Sequence, residues 1–190
     1  MPLTIVDAEA EPEAAGAIFR AGWDLTFRQN GEAGMGGFWV SQRAGLDTVL
    51  TTSGAITCVI IVIRTIDGNG ALGHYAAEVD PNEVLRGVAV MIQCLDQRPI
   101  DAVLFAAGMI GVNPEQSQYQ DAIIAGTRQL APCAPVDWRL ELRNGSVPDA
   151  AVFLPHTGQV ALFDSLPRQF IGRSDAGNGL TPYSYGGLLR

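Results

Sequence analysis

The chain has 190 residues, of which 47% are hydrophobic and 17% charged, with a formal net charge of −8. That is enough chain for one well-packed domain and short for two, and the composition is that of a globular rather than a disordered protein. With 12 Lys and Arg against 20 Asp and Glu and no basic cluster, the chain lacks what phosphate backbones and anionic membranes require, so neither nucleic acid nor a lipid surface is expected as a partner.

The opening "MPLTIVDAEAEPEAA" is acidic and carries no basic start or apolar core of a signal peptide. The longest apolar run, Cys58 to Ile63, is far too short to span a bilayer. The expected location is therefore the cytoplasm, or outside the cell by a route that needs no cleaved signal peptide. Three cysteines, Cys58, Cys94 and Cys133, are widely spaced with no CxxC pair. That pattern is neither a disulfide framework nor a zinc site. Cys94 and Cys133 read as small buried or half-buried side chains.

In chain order, Asp7 to Arg20 reads as a short acidic helix. Gly22 to Arg43 reads as two short strands around the glycine-rich "GEAGMGG", with Trp23, Phe27, Phe38 and Trp39 as core aromatics. A strand over Leu46 to Thr52 leads to "CVIIVIR", whose unbroken Val and Ile content predicts a strand covered on both faces. After "DGNG" the chain returns over Ala71 to Val79. "DPNE" at Asp80 and "NPEQ" at Asn113 each supply an N-cap, a proline at the first helical position and a polar third residue, so two helices follow them. Between these helices "DAVLFAAGMIG" is a buried strand. "VDWRLELRNG" alternates at period two, and "AAVFLPHTGQVALF" reads as a hairpin with His156 exposed at its turn. The glycine-rich end reads as a loop or docking arm.

This order implies an α+β fold in which β-sheets pack face to face with helices on the outside. One domain is expected over 1–190, with a core over 46–164. Residues 1–45 would be an extension packed on that core, and 165–190 a tail.

The chemistry lies in "TSGAITCVIIVIRTIDGNGALGH", which heads an apolar strand with Cys58 and places His74 just beyond the turn. An imidazole next to a thiol can take its proton and later return it to a poor leaving group such as ammonia. Whether the two side chains meet depends on register. A two-residue turn at Asp67-Gly68 puts His74 opposite Ile61 and Cys58 on the other face. An odd loop centred on Ile66 or Asp67 puts Cys58 opposite His74 or diagonal to it, on one face.

The stretch resembles the signature of the CheD-type chemoreceptor glutamine deamidases, which share a Cys-His site with the catalytic domain of cytotoxic necrotizing factor. In that pattern a threonine stands six residues before the cysteine, an apolar strand follows, and a Gly-Ala-Met-Ala-His segment comes after an Asp/Gly turn. "TSGAITC", "VIIVIR" and "GALGH" match these parts, and the order of later elements is also similar. The resemblance covers about Thr51 to Phe163. It implies Cys58 as nucleophile, His74 as general base and acid, and Thr52 as the group orienting His74, with Thr51 a competitor for that role. Ile56-Thr57 stands where the family has Gly-Ser, and "YAAEVDP" after His74 lacks the family's apolar stretch.

The implied activity is conversion of a protein glutamine side chain to glutamate and ammonia. No cofactor or metal is needed, and the partner is a protein substrate carrying the target glutamine. The setting is either a secreted effector or toxin, or an enzyme that modifies chemoreceptors. The alternative is a catalytically inactive deamidase fold kept as a binding or scaffolding protein.

Overall fold

The long apolar run decides the architecture. In the computed structural model, which describes residues 3–26, 30–33, 36–41, 48–55, 57–76, 80–107, 114–164 and 180–184, every residue of Cys58–Thr65 is buried. In chain order the elements are β1 (Thr4–Asp7), α1 (Pro12–Thr26), β2 (Asn30–Ala33), β3 (Gly37–Ser41), β4 (Val49–Thr52), β5 (Cys58–Thr65), β6 (Gly70–Ala76) and α2 (Pro81–Cys94). They continue with β7 (Ile100–Ala107), α3 (Pro114–Leu130), β8 (Val136–Arg139), β9 (Ala150–Leu154), β10 (Gln159–Phe163) and β11 (Leu180–Ser184).

The fold is α+β, with two mixed sheets and three helices among the described residues. One sheet runs β1-β10-β9-β4-β2 and the other β11-β3-β6-β5-β7-β8. Alternation along each strand sorts the core into three slabs. Leu50, Ala151, Phe153, Val160 and Leu162 of the first sheet meet Trp39, Ile60, Val62, Leu72 and Leu104 of the second. On the far side of the second sheet, Val59, Ile61, Ile63 and Phe105 pack against Val84, Val88, Met91 and Ile123 of α2 and α3. On the far side of the first, Val49, Val152 and Ala161 pack against Ala15 and Ile18 of α1. Strand β5 is apolar from Cys58 to Ile63 because that stretch meets both kinds of neighbour. No helix among the described residues is long and apolar enough to cross a membrane.

Several expectations change. Helix α1 begins at Pro12, not at Asp7. Asp7 ends β1 instead, and its carboxylate accepts the Glu9 and Ala10 N–H groups in the turn. Residues 1–45 are not an extension laid on a finished core. β1 pairs with β10, β2 pairs with β4, and β3 lies inside the second sheet between β11 and β6. Part of the tail is a strand, since Leu180–Ser184 pairs antiparallel with β3; 165–179 and 185–190 lie outside the described residues. The strand expected over "VDWRLELRNG" stops at Arg139. Just beyond it a turn closes from the Leu142 N–H to the Ser146 carbonyl, around Gly145 at φ 81°. Phe38 and Trp39 are core residues on opposite faces, while the Trp23 side chain and Phe27 lie outside the described set. Cys94 is half-buried, and Cys133 is exposed in the loop after α3; none of the three cysteines is in a disulfide. Helix α2 starts as its sequence predicts, with the Asp80 carboxylate accepting the Asn82 N–H at 2.7 Å and Pro81 at the first position. Asn113, the cap expected for α3, lies outside the described residues.

Candidate active site

The β5–β6 register places the thiol and the imidazole on one face. Ile60 pairs with His74 and Cys58 with Ala76, so the hairpin is centred on Asp67 and Cys58 lies diagonal to His74. Local chemistry at the turn fixes this. Thr65 N–H bonds the Asn69 carbonyl, which leaves a three-residue loop whose last member, Gly68, has φ 82°. That left-handed third position is the signature of an odd hairpin loop. The Thr65 hydroxyl donates to the Asp67 carboxylate, and Asn69 Nδ2 donates to the same carboxylate at 3.0 Å. These bonds pin the turn. Diagonal neighbours of this kind stand with Cβ atoms about 7–8 Å apart or somewhat less.

Thr52 reaches the pair from the opposite sheet. The chain leaves the first sheet at Thr52 and enters the second at Cys58, so five residues, Ser53 to Thr57, carry it across the gap. Thr52 lies on the Leu50 face of β4, which looks into the sandwich. Thr51 lies on the Val49 face, towards α1, and so does not compete for the histidine.

The Thr52 hydroxyl donates its single proton to the Ala33 carbonyl at 2.7 Å and stands 3.0 Å from His74 Nδ1. It can therefore only accept from the ring. This assigns the proton to Nδ1 and leaves the lone pair on Nε2. Nε2 is buried and has no hydrogen-bond partner among the described residues, so it is the atom left to act as a base. The thiol does not hydrogen-bond Nε2 in this state. Catalytic contacts often tighten only when substrate arrives.

The imidazole is held neutral. Burial pushes the His74 pKa below its ordinary value near 6.5, while the Ala33 carbonyl and the Asp149 carboxylate act in the other direction. The unfolded chain therefore takes up a proton near pH 6.5 that the folded chain resists. Stability should be full above that pH and fall as the pH drops through it towards the lower folded value. Thermal melts should show wild type losing more stability between pH 7.5 and pH 5.5 than His74→Gln, which has no proton to gain. Equal losses would disprove the linkage.

Cys58 points into the sandwich and is 4% exposed. Its N–H is committed to the Ala55 carbonyl at 2.9 Å, so it is not available as an oxyanion donor. Opposite His74 on its other neighbour, β3, is Gly37, which puts no side chain beside the ring. At the end of β7, paired with Val59, Ala107 has φ 61°. A non-glycine residue there costs about 1–2 kcal/mol, and such strain gathers at functional sites. The Ala107 carbonyl is held by Trp138 Nε1 at 3.1 Å, and Trp138 stacks on Phe105.

No protein-family model matches the chain, and no curated protein matches it.

Asp149 carried no sequence signal and is joined through its backbone to the loop that carries Cys58. It stands just before β9, two residues from Ala151, which pairs with Thr52, and its Oδ1 is buried. Its N–H bonds the Phe163 carbonyl at 2.8 Å, and its carbonyl accepts the Ala55 N–H at 2.9 Å, tying it to the loop that carries Cys58. His156, by contrast, is exposed in the β9–β10 turn, where its carbonyl accepts from Arg64 at 3.2 Å. A groove of about 550 Å³ between the C-terminal ends of α2 and α3 has Cys133 on its rim, but neither a histidine nor a carboxylate lines it. It offers no acid–base pair to that thiol.

Proposed function

We propose that the chain is a cysteine-dependent protein-glutamine deamidase of the CheD and cytotoxic necrotizing factor kind, with Cys58 as nucleophile, His74 as base and acid, and Thr52 as orienting residue. One observation carries this reading. Thr52 fixes the His74 proton on Nδ1, so the buried lone pair on Nε2 faces the same interior as the thiol. A histidine kept only for packing would have no reason to leave a buried nitrogen without a donor, which is a costly arrangement.

In the reaction, Nε2 takes the thiol proton and Sγ attacks the carboxamide carbon. The tetrahedral intermediate collapses as the C–N bond breaks, and the nitrogen leaves as ammonia with the proton from His74. Water, activated by the same nitrogen, then cleaves the thioester and leaves glutamate. The chain's acidic charge leans towards the effector setting over the chemotaxis one. The second reading is a binding protein with a spent site, favoured by the commitment of the Cys58 N–H to Ala55.

Incubation of wild-type protein with bacterial membranes rich in chemoreceptors, and separately with host-cell lysate, tests the choice. Peptide mapping should reveal Gln→Glu conversions with release of ammonia, and His74→Ala should lose them. Maps indistinguishable from buffer controls in every lysate would leave only the binding protein.

A further inference from the structure

Two buried side-chain acceptors stand without a donor among the described residues. Asp149 Oδ1 is buried and, like His74 Nε2, has no hydrogen-bond partner among the described residues. Asp149 stands just before β9, two residues from Ala151, the partner of Thr52, and Thr52 touches the imidazole. The Asp149 carbonyl also accepts the Ala55 N–H at 2.9 Å, and the Ala55 carbonyl accepts the Cys58 N–H, so the residue is tied to the loop that carries the thiol. The two acceptors cannot satisfy each other, because the single ring proton is on Nδ1 and each of the two atoms carries only a lone pair. Leaving a buried carboxylate oxygen unpaired is expensive, so the arrangement calls for a group that brings donors to both atoms.

We infer that Asp149 and His74 Nε2 together form the subsite for the –NH2 of a primary amide, which makes Asp149 the residue that selects a carboxamide as substrate. The inference rests on the deamidase reading. A primary amide carries two N–H donors on one nitrogen. One can reach Oδ1, which holds the nitrogen where Nε2, having taken the thiol proton, delivers it to the leaving group. Ammonia keeps its donors, so the subsite holds the leaving group until it departs. The product presents an acceptor-only carboxylate to Asp149, and two like charges in a buried space repel. The same residue therefore admits glutamine and expels glutamate. Esters and ketones bring no donor and gain nothing from it.

A pair of matched electrophiles tests the subsite without requiring turnover. 2-Chloroacetamide carries the amide –NH2, and chloroacetone puts a methyl group in the same place. Intact-protein and peptide mass spectrometry gives the alkylation rate of each cysteine, and exposed Cys133 in the same molecule supplies the intrinsic rate ratio of the two reagents. At Cys58 the amide-to-ketone ratio should exceed that at Cys133 by about tenfold, the worth of one hydrogen bond. Asp149→Ala should bring the ratio at Cys58 down to that at Cys133. Asp149→Asn, whose side-chain oxygen still accepts, should retain part of the preference and guards against a variant that fails to fold. Both variants should melt no lower than wild type, since an unpaired buried acceptor is removed or neutralised. Equal ratios at Cys58 and Cys133 in wild type overturn the inference. So does an undiminished ratio in Asp149→Ala, or a Cys58 that neither reagent reaches. Loss of the ratio with deamidation intact would sink the role of Asp149 alone, whereas a preserved ratio without deamidation would sink the turnover reading and leave an amide-binding site.

Discussion

If the chain deamidates glutamine as proposed, replacing Cys58 by serine should lower that activity by at least about a thousandfold, because an alkoxide is far harder to generate than a thiolate. The serine hydroxyl is close in size to the thiol and points into the same interior, so the fold should persist with a small loss from burying a more polar group. Far-UV circular dichroism and a cooperative melt would establish that the variant is folded before its peptide maps are compared with wild type. Thr52→Val is the informative companion. It keeps the shape of the side chain but takes the acceptor from Nδ1 and the donor from the Ala33 carbonyl. The ring is then free to move its proton to Nε2, where it blocks the base. Activity should fall less than in Cys58→Ser, and part of the loss should appear as a changed pH profile. A Cys58→Ser protein that deamidates as fast as wild type would remove the thiol from the mechanism.

The largest effect on stability should come from Phe153→Ala. Phe153 is fully buried at the centre of the first sheet, between Leu50 and Val160, and faces the second sheet. Its ring lies directly over Gly70 of β6; a Cβ built there would meet Phe153 Cε1 at 2.6 Å and the Ile63 carbonyl at 2.9 Å. The ring thus fills a place that the opposing strand leaves empty, and truncating it opens a cavity that neither sheet can close. The expected cost is about 3–5 kcal/mol, a large share of the roughly 5–15 kcal/mol that stabilises a typical domain. Urea denaturation should show the midpoint falling with an unchanged slope. A loss below about 1 kcal/mol would mean that the face-to-face packing is not the main core.

What the sequence could reveal followed from periodicity and caps. The unbroken apolar run of β5 predicted a strand covered on both sides, and "DPNE" predicted the start of α2, because both signals are local. The shared face of Cys58 and His74 was legible as one of two registers. Gly68 could not decide between them, because a two-residue Asp67-Gly68 turn and a three-residue loop both place it in a left-handed backbone. The place of residues 1–45 was not legible. Strands as short as Thr4–Asp7 and Asn30–Ala33 carry little pattern, and each pairs in parallel with a segment remote in sequence or beyond a long loop. Asp149 was invisible for a related reason. It sits in a polar loop that looks like any other, and only the pairing of β9 with β4 brings it to Thr52.

That pairing has a consequence for how the chain is made. Thr52 meets Ala151, and Thr4 meets Gln159, whereas Cys58 and His74 share one hairpin. On a ribosome the hairpin emerges and can close many seconds before β9 and β10 exist, since synthesis adds about 5–20 residues per second. The thiol and imidazole are thus born together in an open structure and are sealed in only when the C-terminal hairpin docks. During that interval the sulfur has its reactive neighbour but not its cover, and it is then most exposed to oxidation. Nascent chains arrested before Ala150 should accordingly show Cys58 alkylated faster than in the finished protein, and an equal rate would mean that the second sheet shields the sulfur unaided. Completion of the C-terminal hairpin is the step that turns a vulnerable cysteine into a guarded one.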